Sequence, residues 1–238
     1  MPVKLLLLSN STNKGEGYLE YPRLHIKEFL GNDVRTIMFI PYAAVTISYD
    51  DYAKPTAKVF SDLGYTLESI HKYADPLKAL SGADAIAVGG GNTFQLISEL
   101  HNKGLMGAIR ERVQNGMPYI GWSAGSNVAC PTIMTTNDMP VTEPPSFAAL
   151  NLIPFQINPH YTEATIPNHG GESRLQRINE YLALNKEMKV AALPEGCIIQ
   201  VKDNTLSLVG TEMKIMEFGK MPRTIHPDDR LQNDLTPL

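Results

Sequence analysis

The sequence predicts an α/β fold in which a mostly parallel central sheet carries helices on both faces. Three observations predict it: short apolar runs alternate with longer segments of helical periodicity, glycines end the helical segments, and a glycine-flanked serine follows one of the runs. Alternation of this kind is typical of βαβ units, whose strands lie parallel. The chain has 238 residues, 43% of them hydrophobic, which is ample for such a core.

Five apolar runs in the first half of the chain have the length and composition of buried strands. They are VKLLLLS (3–9), TIMFIPYA (36–43), TLESI (66–70), AIAVGG (85–90) and PYIGWS (118–123). Between them, Tyr49 to Gly64 and Asn92 to Gly116 have apolar residues at helical spacing and end at a glycine. We expect these helices to cover both faces of the sheet.

The second half of the chain is less regular. After a proline-rich loop, the expected elements are a strand INPHY (157–161), a helix from Ser173 to Asn185, a strand within KVAALPEG (189–196), and the antiparallel strands IIQVKDNTLSLVG (198–210) and EMKIMEF (212–218). A turn is expected at Asp203 and Asn204. Because no low-complexity linker or repeat divides the chain, we expect one α/β domain over 1–238, with 220–238 as a peripheral tail.

The composition indicates the cellular compartment and excludes some classes of binding partner. The net charge is −4 with a pI near 5.9, and no basic run occurs, so we expect no nucleic-acid partner. Cys130 and Cys197 are too few for a disulfide framework, and their apolar surroundings fit buried thiols in a reducing cytoplasm. The four leucines at 5–8 are too short for a signal peptide or a membrane span, so we expect a buried strand and no membrane partner.

The segment GWSAG (121–125) has the pattern G-x-S-x-G between a predicted strand and a predicted helix start. A strand, a tight turn centred on Ser123 and a helix form a nucleophile elbow, in which the flanking glycines relieve collisions around a strained residue. The alternative is a glycine-rich turn with Ser123 as helix N-cap, which is common in α/β proteins. The structural context favours the elbow.

A serine nucleophile needs a base and a group that orients the base. His160 lies at the C-terminal end of a short strand, at the edge where sites of parallel sheets gather. In contrast, His25, His71 and His101 lie in predicted helices or their flanks, and His169 lies in a glycine-rich loop. The orienting carboxylate could be Glu195 in LPEG or Asp138 in TTNDMP, and spacing does not choose between them.

The order of the residues along the chain distinguishes two candidate catalytic triads. The order of an α/β-hydrolase would require Ser123, Asp203 and His226, but Asp203 falls in a predicted turn and His226 in a polar tail. The order Ser123, His160, Glu195 places each residue at the end of a predicted strand.

Several motifs together resemble the peptidase E family of α-aspartyl dipeptidases. The resemblance runs from about residue 3 to about residue 218 and rests on GGGNTFQL (89–96), GWSAG (121–125), TTNDMP (135–140), INPH (157–160), GESR (171–174) and LPEG (193–196). It implies a fold related to class I glutamine amidotransferases and hydrolysis of dipeptides with an N-terminal aspartate. It also implies Ser123 as nucleophile, His160 as general base and Glu195 as its orienting partner.

The resemblance further implies that Arg174 binds the substrate carboxylate, a task for which a planar guanidinium is suited. Asp138 and Asn92 also fall in motifs of the family, and we expect both at the substrate site, although Asp138 could instead contact the histidine or a loop. An Arg174 that only faces solvent at a helix start is the alternative. The loop GGGN lacks the lysine of a P-loop and the pattern G-x-G-x-x-G, so we expect it to offer the N–H of Gly91 to an oxyanion, with Ala124 as the second donor.

The expected reaction is acyl transfer through Ser123, without a cofactor. HExxH and paired Cys or His ligand spacings are missing from the sequence, so no metal is expected. Expected partners are small peptides with an N-terminal aspartate, and the protein itself is expected to be a monomer or small homo-oligomer. Two alternatives remain: a related serine hydrolase acting on isoaspartyl or polymeric aspartyl-arginine substrates, and a non-enzymatic sensor of an acidic metabolite.

Overall fold

The computed structural model describes residues 3–164, 170–202 and 205–227, together with residues 229, 231 and 235. Its strands are β1 (Leu5–Leu8), β2 (Thr36–Ile40), β3 (Thr66–Ser69), β4 (Ala85–Val88), β5 (Tyr119–Trp122), β6 (Gln156–Asn158), β7 (Lys189–Ala192), β8 (Ile198–Lys202), β9 (Thr205–Val209), β10 (Met213–Glu217) and β11 (Arg223–Ile225). Its helices are α1 (Arg23–Leu30), α2 (Tyr49–Asp62), α3 (Pro76–Ser81), α4 (Thr93–Asn102), α5 (Leu105–Gln114), α6 (Ala124–Asn127) and α7 (Arg174–Leu184), with a 3₁₀ turn at Ile70–Lys72.

The larger sheet has seven strands in the order β3-β2-β4-β5-β1-β8-β9. The five strands from β3 to β1 are parallel, and β8 and β9 extend the sheet in antiparallel fashion. The predicted α/β architecture with a mostly parallel sheet is therefore confirmed. Loops after β4 and β5 leave neighbouring carboxyl ends, which is where sites of such sheets lie.

Helices cover both faces of this sheet, as the sequence predicts. Successive leucines of β1 point to opposite faces, so Leu5 and Leu7 belong to one hydrophobic cluster and Leu6 and Leu8 to another. Apolar side chains of α4 and α5 pack in the first cluster, and those of α1 and α2 pack in the second. All four leucines are fully buried, which explains why this strand is apolar at every position.

A second sheet of four strands has the order β11-β10-β7-β6. β6 and β7 are parallel, and β10 is antiparallel to both β7 and β11. α7 covers one face, where Ile178 and Leu182 pack with Val190 of β7 and Met216 of β10. Side chains from the other face, such as Ile215, join the cluster that also contains Leu5 of the larger sheet.

Some expectations change in detail. The helical segment expected from Asn92 to Gly116 is two helices, because Gly104 takes a left-handed conformation with φ of 66° and separates α4 from α5. In the expected peripheral tail, β11 extends the second sheet, and Leu231 and Leu235 are buried in the core. The expected turn at Asp203 and Asn204 lies outside the described residues.

Two further properties concern membrane crossing and the state of the cysteines. Across the described ranges, no helix combines the length and apolar character that crossing a membrane requires. Cys130 and Cys197 are free thiols and both are fully buried, as their apolar surroundings predict. Burial raises the pKa of the Cys130 thiol to about 12, so this side chain remains protonated near neutral pH.

Candidate active site

Ser123 lies at the sharp turn between β5 and α6. Its φ of 52° and ψ of −112° lie outside the regions that L-residues ordinarily occupy. A Cβ on Gly121 would stand 2.4 Å from the carbonyl oxygen of Gly125, and a Cβ on Gly125 would stand 2.1 Å from that of Val88. Because both contacts are with backbone, only glycine fits at either position, and the predicted strand-to-helix elbow depends on both glycines.

His160 and Glu195 approach Ser123 from the second sheet. β6 and β7 are parallel, with Asn158 opposite Ala192, so the loops that follow them leave the same edge of that sheet. His160 Nε2 lies 2.9 Å from Ser123 Oγ, and His160 Nδ1 lies 3.0 Å from Glu195 Oε1. The structure thus brings together the three residues that chain order placed at strand ends.

The contacts of His160 determine what the arrangement can do chemically. A carboxylate only accepts hydrogen bonds, so Glu195 holds the proton of the imidazole on Nδ1. The lone pair of Nε2 then faces the hydroxyl of Ser123 and can take its proton during nucleophilic attack. The side chains of His160 and Glu195 are 39% and 56% exposed, so solvent reaches the site.

Ser9, which the sequence analysis missed, anchors the backbone of His160. It follows β1, is fully buried, accepts a hydrogen bond from the N–H of His160 and donates to the carbonyl of Leu193, both at 2.9 Å. The positive φ of 52° at His160 makes such an anchor useful, because that conformation is unfavourable for an L-residue. A polar residue directly after a wholly apolar strand was the available signal.

The two expected oxyanion donors lie in the glycine loop after β4 and at the start of α6. Gly91 follows β4 and has a φ of 135°, and a Cβ there would stand 2.3 Å from the carbonyl oxygen of Ala43. Ala124 is the first residue of α6, where a helix N–H has no intrahelical partner. Within the described part of the chain, neither the N–H of Gly91 nor that of Ala124 donates a hydrogen bond.

Asp138 and Asn92 join a loop to the start of α4. Asp138 Oδ2 accepts hydrogen bonds from the N–H and the hydroxyl of Thr93 at 2.7 and 2.6 Å. Asn92 caps the helix by accepting from the N–H of Gln95 at 3.1 Å, and its amide donates to the carbonyl of Met139 at 2.8 Å. Both side chains hold the loop against the helix, and a contact with substrate stays a prediction for both.

Arg174 is the first residue of α7, next to the capping-box residue Ser173. Its guanidinium is half-buried and, among the described residues, has no hydrogen bond or ion pair. Burial is the main cause that lowers its pKa, the charge of Arg177 lowers it further, and the carboxylate of Asp138 opposes both. An arginine in a first helical turn also opposes the helix dipole, so an anionic ligand would be favourable here.

The other histidines have different surroundings. His71 contacts Ser69 and Asp50, His101 contacts the carbonyl of Ala148, and His226 lies 3.5 Å from Glu212. His169 and the alternative acid Asp203 lie outside the described residues. Within the ranges described above, no three or more His, Cys, Asp or Glu side chains are grouped so as to hold a metal ion.

Two cavities adjoin segments that carry candidate site residues. A cavity of about 250 Å³ is lined by residues following His160 and preceding Glu195, among them Tyr161 and Pro194. Another of about 340 Å³ lies between Phe94 of α4 and the proline-rich loop. A third, of about 410 Å³, lies between α3 and α5 and includes none of the candidate residues.

The sequence profile of peptidase family S51 matches residues 5–209 of the chain. A Peptidase E from Nostoc sp. (strain PCC 7120) is 53% identical over 232 residues, covering 97% of this chain and 96% of the relative. A Peptidase E from Salmonella newport (strain SL254) is 50% identical over 208 residues, covering 87% of this chain and 90% of the relative. The fold is similar to that of a peptidase from an acI-B1 Actinobacterium, with a TM-score of 0.71, 17% identity and 96% of each chain covered.

Proposed function

The chain belongs to peptidase family S51 and is a serine peptidase, and we propose from this premise that it is a dipeptidase specific for an N-terminal aspartate. The catalytic part of this proposal rests on two hydrogen-bond contacts, from Ser123 Oγ to His160 at 2.9 Å and from His160 to Glu195 at 3.0 Å. The curated relatives named Peptidase E support the dipeptidase activity. The guanidinium of Arg174, which has no ion pair among the residues that the structure describes, supports the preference for aspartate.

In the proposed mechanism, Ser123 Oγ attacks the carbonyl carbon of the aspartyl residue while His160 Nε2 takes the hydroxyl proton. The tetrahedral intermediate collapses as the imidazolium gives this proton to the departing amino group, which breaks the peptide bond and leaves an aspartyl ester on Ser123. Water, deprotonated by His160, then attacks the ester and releases aspartate. Glu195 stabilises the imidazolium in both steps.

The negative oxygen of each tetrahedral intermediate needs donors that are already in place. The N–H groups of Gly91 and Ala124 are free of partners in the described residues and lie in the two loops that meet at Ser123. Donors of this kind stabilise charge that develops in the transition state, and losing one costs about 3 kcal/mol. We assign the oxyanion hole to these two groups.

Selection of aspartate is assigned to Arg174. A guanidinium can hold a carboxylate through two parallel hydrogen bonds, and partial burial strengthens the interaction. Asp138 lies near enough to influence the pKa of Arg174, although its carboxylate is already bonded to Thr93. Within the described part of the chain Asp138 forms no ion pair with Arg174, so the guanidinium can bind the substrate carboxylate.

The proposal also covers the cellular location and the oligomeric state of the protein. Two fully buried free thiols are compatible with a reducing cytoplasm, where we place the protein. We propose small peptides as its partners, with a monomer or small homo-oligomer as the acting species.

The test is release of amino acids from Asp-Leu, with Glu-Leu, Leu-Leu and β-linked Asp-Leu in parallel. We expect cleavage of Asp-Leu alone, and a loss of roughly 10⁴- to 10⁶-fold in kcat in Ser123→Ala with the fold intact. Ser61→Ala, at an exposed position of α2, serves as the control that should retain full activity. Full activity of Ser123→Ala would refute the mechanism. Cleavage of only the β-linked peptide would refute the proposed preference for α-linked aspartyl dipeptides.

A further inference from the structure

The hydroxyl of Tyr52 joins the nucleophile strand to the glycine loop after β4. It donates to the carbonyl of Gly90 at 2.9 Å and accepts from the indole N–H of Trp122, the last residue of β5, at 3.0 Å. Tyr52 lies on α2 and is 9% exposed. Burial raises its pKa well above the ordinary value, so the hydroxyl keeps its proton and remains a donor near neutral pH.

The carbonyl that Tyr52 holds belongs to the same peptide unit as the N–H of Gly91. The unit is trans, so the carbonyl of Gly90 and the N–H of Gly91 point in opposite directions across one plane. Glycines on both sides make rotation of this plane easy, because no Cβ restricts it. A hydrogen bond that fixes the carbonyl therefore also fixes the direction of the N–H.

This peptide unit lies beside the nucleophile. A Cβ on Gly90 would stand 3.0 Å from the Cβ of Ser123, so the loop and the elbow are in close contact. A Cβ on Gly89 would stand 2.6 Å from the hydroxyl oxygen of Tyr52, so glycine at 89 lets the hydroxyl reach the loop. The mechanism above gives no role to this buried hydroxyl.

The Tyr52 ring is itself held in place by aromatic contacts. Phe39 of β2 packs edge-on against Tyr52, with centroids 5.2 Å apart, and stacks on Trp122 at 5.8 Å. This packing fixes the hydroxyl between β5, which leads into Ser123, and the loop that carries Gly91. Rigid support of a donor is what allows it to stabilise an oxyanion without reorganisation.

We propose that Tyr52 is a positioning residue of the oxyanion hole, which directs the N–H of Gly91 toward the developing oxyanion by holding the carbonyl of Gly90. The inference rests on the proposed function, because it assumes a tetrahedral intermediate on Ser123. It adds a residue of α2, distant in sequence from every catalytic motif, to the machinery of acyl transfer.

The test compares Tyr52→Phe with Tyr65→Phe. Tyr65 is also buried, and its hydroxyl contacts the carbonyls of Gly31 and Lys27 at 2.8 and 3.3 Å, so each variant removes a hydroxyl that donates to backbone. Tyr65 precedes β3 and thus lies at the amino end of the parallel strands, away from Ser123. Both variants should melt at similar temperatures.

Two readouts are measured: kcat and KM for Asp-Leu, and the rate at which a fluorophosphonate labels Ser123. In the transition state of labelling, negative charge develops on the phosphoryl oxygen of the probe at the position of the oxyanion, so the labelling rate depends on the oxyanion hole and not on aspartate specificity. Tyr52→Phe should lower kcat and the labelling rate roughly tenfold or more with KM unchanged, less than the 10²- to 10³-fold loss of a whole donor. Tyr65→Phe should leave both unchanged.

The outcomes separate this inference from the proposed function. An unchanged labelling rate in Tyr52→Phe, or an equal slowing in Tyr65→Phe, overturns the positioning role. The wild type could fail to cleave Asp-Leu although Ser123 is labelled and labelling slows only in Tyr52→Phe. That result would refute the assigned substrate and support the positioning role of Tyr52. Absence of labelling at Ser123 in the wild type overturns both.

Discussion

At the scale of the residue, the proposed specificity for aspartate rests on Arg174. Two other arginines of this protein pair with carboxylates: Arg23 with Asp62 at 2.9 Å and Arg177 with Glu172 at 3.7 Å. Arg174 is half-buried and, among the described residues, has no such partner. Leaving a cation partly desolvated costs free energy, which an anionic substrate group would recover.

Arg174→Ala is therefore expected to lose most activity on Asp-Leu, with a fall in kcat/KM of roughly 10²-fold or more, because the substrate carboxylate would be left unpaired. The measurements are kcat/KM for Asp-Leu and the rate of fluorophosphonate labelling of Ser123. Arg177→Ala is the matched control, since Arg177 lies one turn further along α7 with a 60% exposed side chain, 3.7 Å from Glu172. An equal fall in the rate at which the fluorophosphonate labels Ser123, which does not depend on aspartate, would show a structural role for Arg174 instead.

Asp138 illustrates a residue whose function its type does not reveal. From the sequence it is as good a partner for the histidine as Glu195. The structure places Asp138 at the amino end of α4, bonded to Thr93, and places Glu195 beside His160. A carboxylate at a helix N-terminus is stabilised by the helix dipole and by free N–H groups, which accounts for an acidic residue there.

At the scale of the element, the elbow is a backbone conformation that two glycines make possible. G-x-S-x-G alone is a weak signal, and its position between a strand and a helix gives it weight. The structure adds the reason: each glycine faces a backbone carbonyl at a distance that no Cβ tolerates. Motif and context together therefore predicted this element from the sequence.

Gly125→Ala is expected to reduce the free energy of unfolding by about 3 kcal/mol or to prevent folding, because its Cβ would collide with the carbonyl of Val88. The control is Gly107→Ala in α5, where a Cβ meets nothing within 4 Å. That change should stabilise the protein by roughly 0.5–1 kcal/mol, the usual difference in helix propensity. Denaturant unfolding of both variants checks the prediction, and a Gly125→Ala protein of wild-type stability would contradict it.

The division of α4 from α5 shows a limit of periodicity. Apolar residues recur at helical spacing on both sides of Gly104, so the pattern predicts one segment. A single glycine within a helical pattern is often tolerated, and only its φ of 66° shows that the chain turns here. α1, α3 and β11 are also missing from the expected elements, because each is short.

At the scale of the whole molecule, the candidate site spans two sheets. Ser123 and the glycine loop follow strands of the larger sheet, whereas His160 and Glu195 follow strands of the smaller one. One hydrophobic cluster contains side chains of both sheets and reaches Leu231 and Leu235. We propose that the two sheets form one domain that unfolds as a unit.

Leu231→Ala is therefore expected to lower the unfolding free energy of the whole domain by about 3 kcal/mol, because Leu231 is fully buried in the shared core. A single transition, coincident by circular dichroism and Trp122 fluorescence, should shift to lower temperature. Leu184→Ala is the control, since Leu184 is 89% exposed and its removal should cost less than about 0.5 kcal/mol. Two separate transitions in the wild type would contradict the single domain.

The sequence by itself determined every strand except β11, most of the helices and the elbow around Ser123. These features depend on hydrophobic periodicity and on the conformational freedom of glycine, which are local properties of the chain. It also placed Ser123, His160 and Glu195 at strand ends, although it left the choice of carboxylate open.

Only the tertiary structure decided which side chains meet. Glu195 reaches His160 because β6 pairs with β7 in parallel. Tyr52 reaches Gly90, 38 residues away in the chain, because α2 packs on the face of the sheet below that loop. Such contacts depend on strand order and packing between distant segments, and no local pattern of residues encodes them.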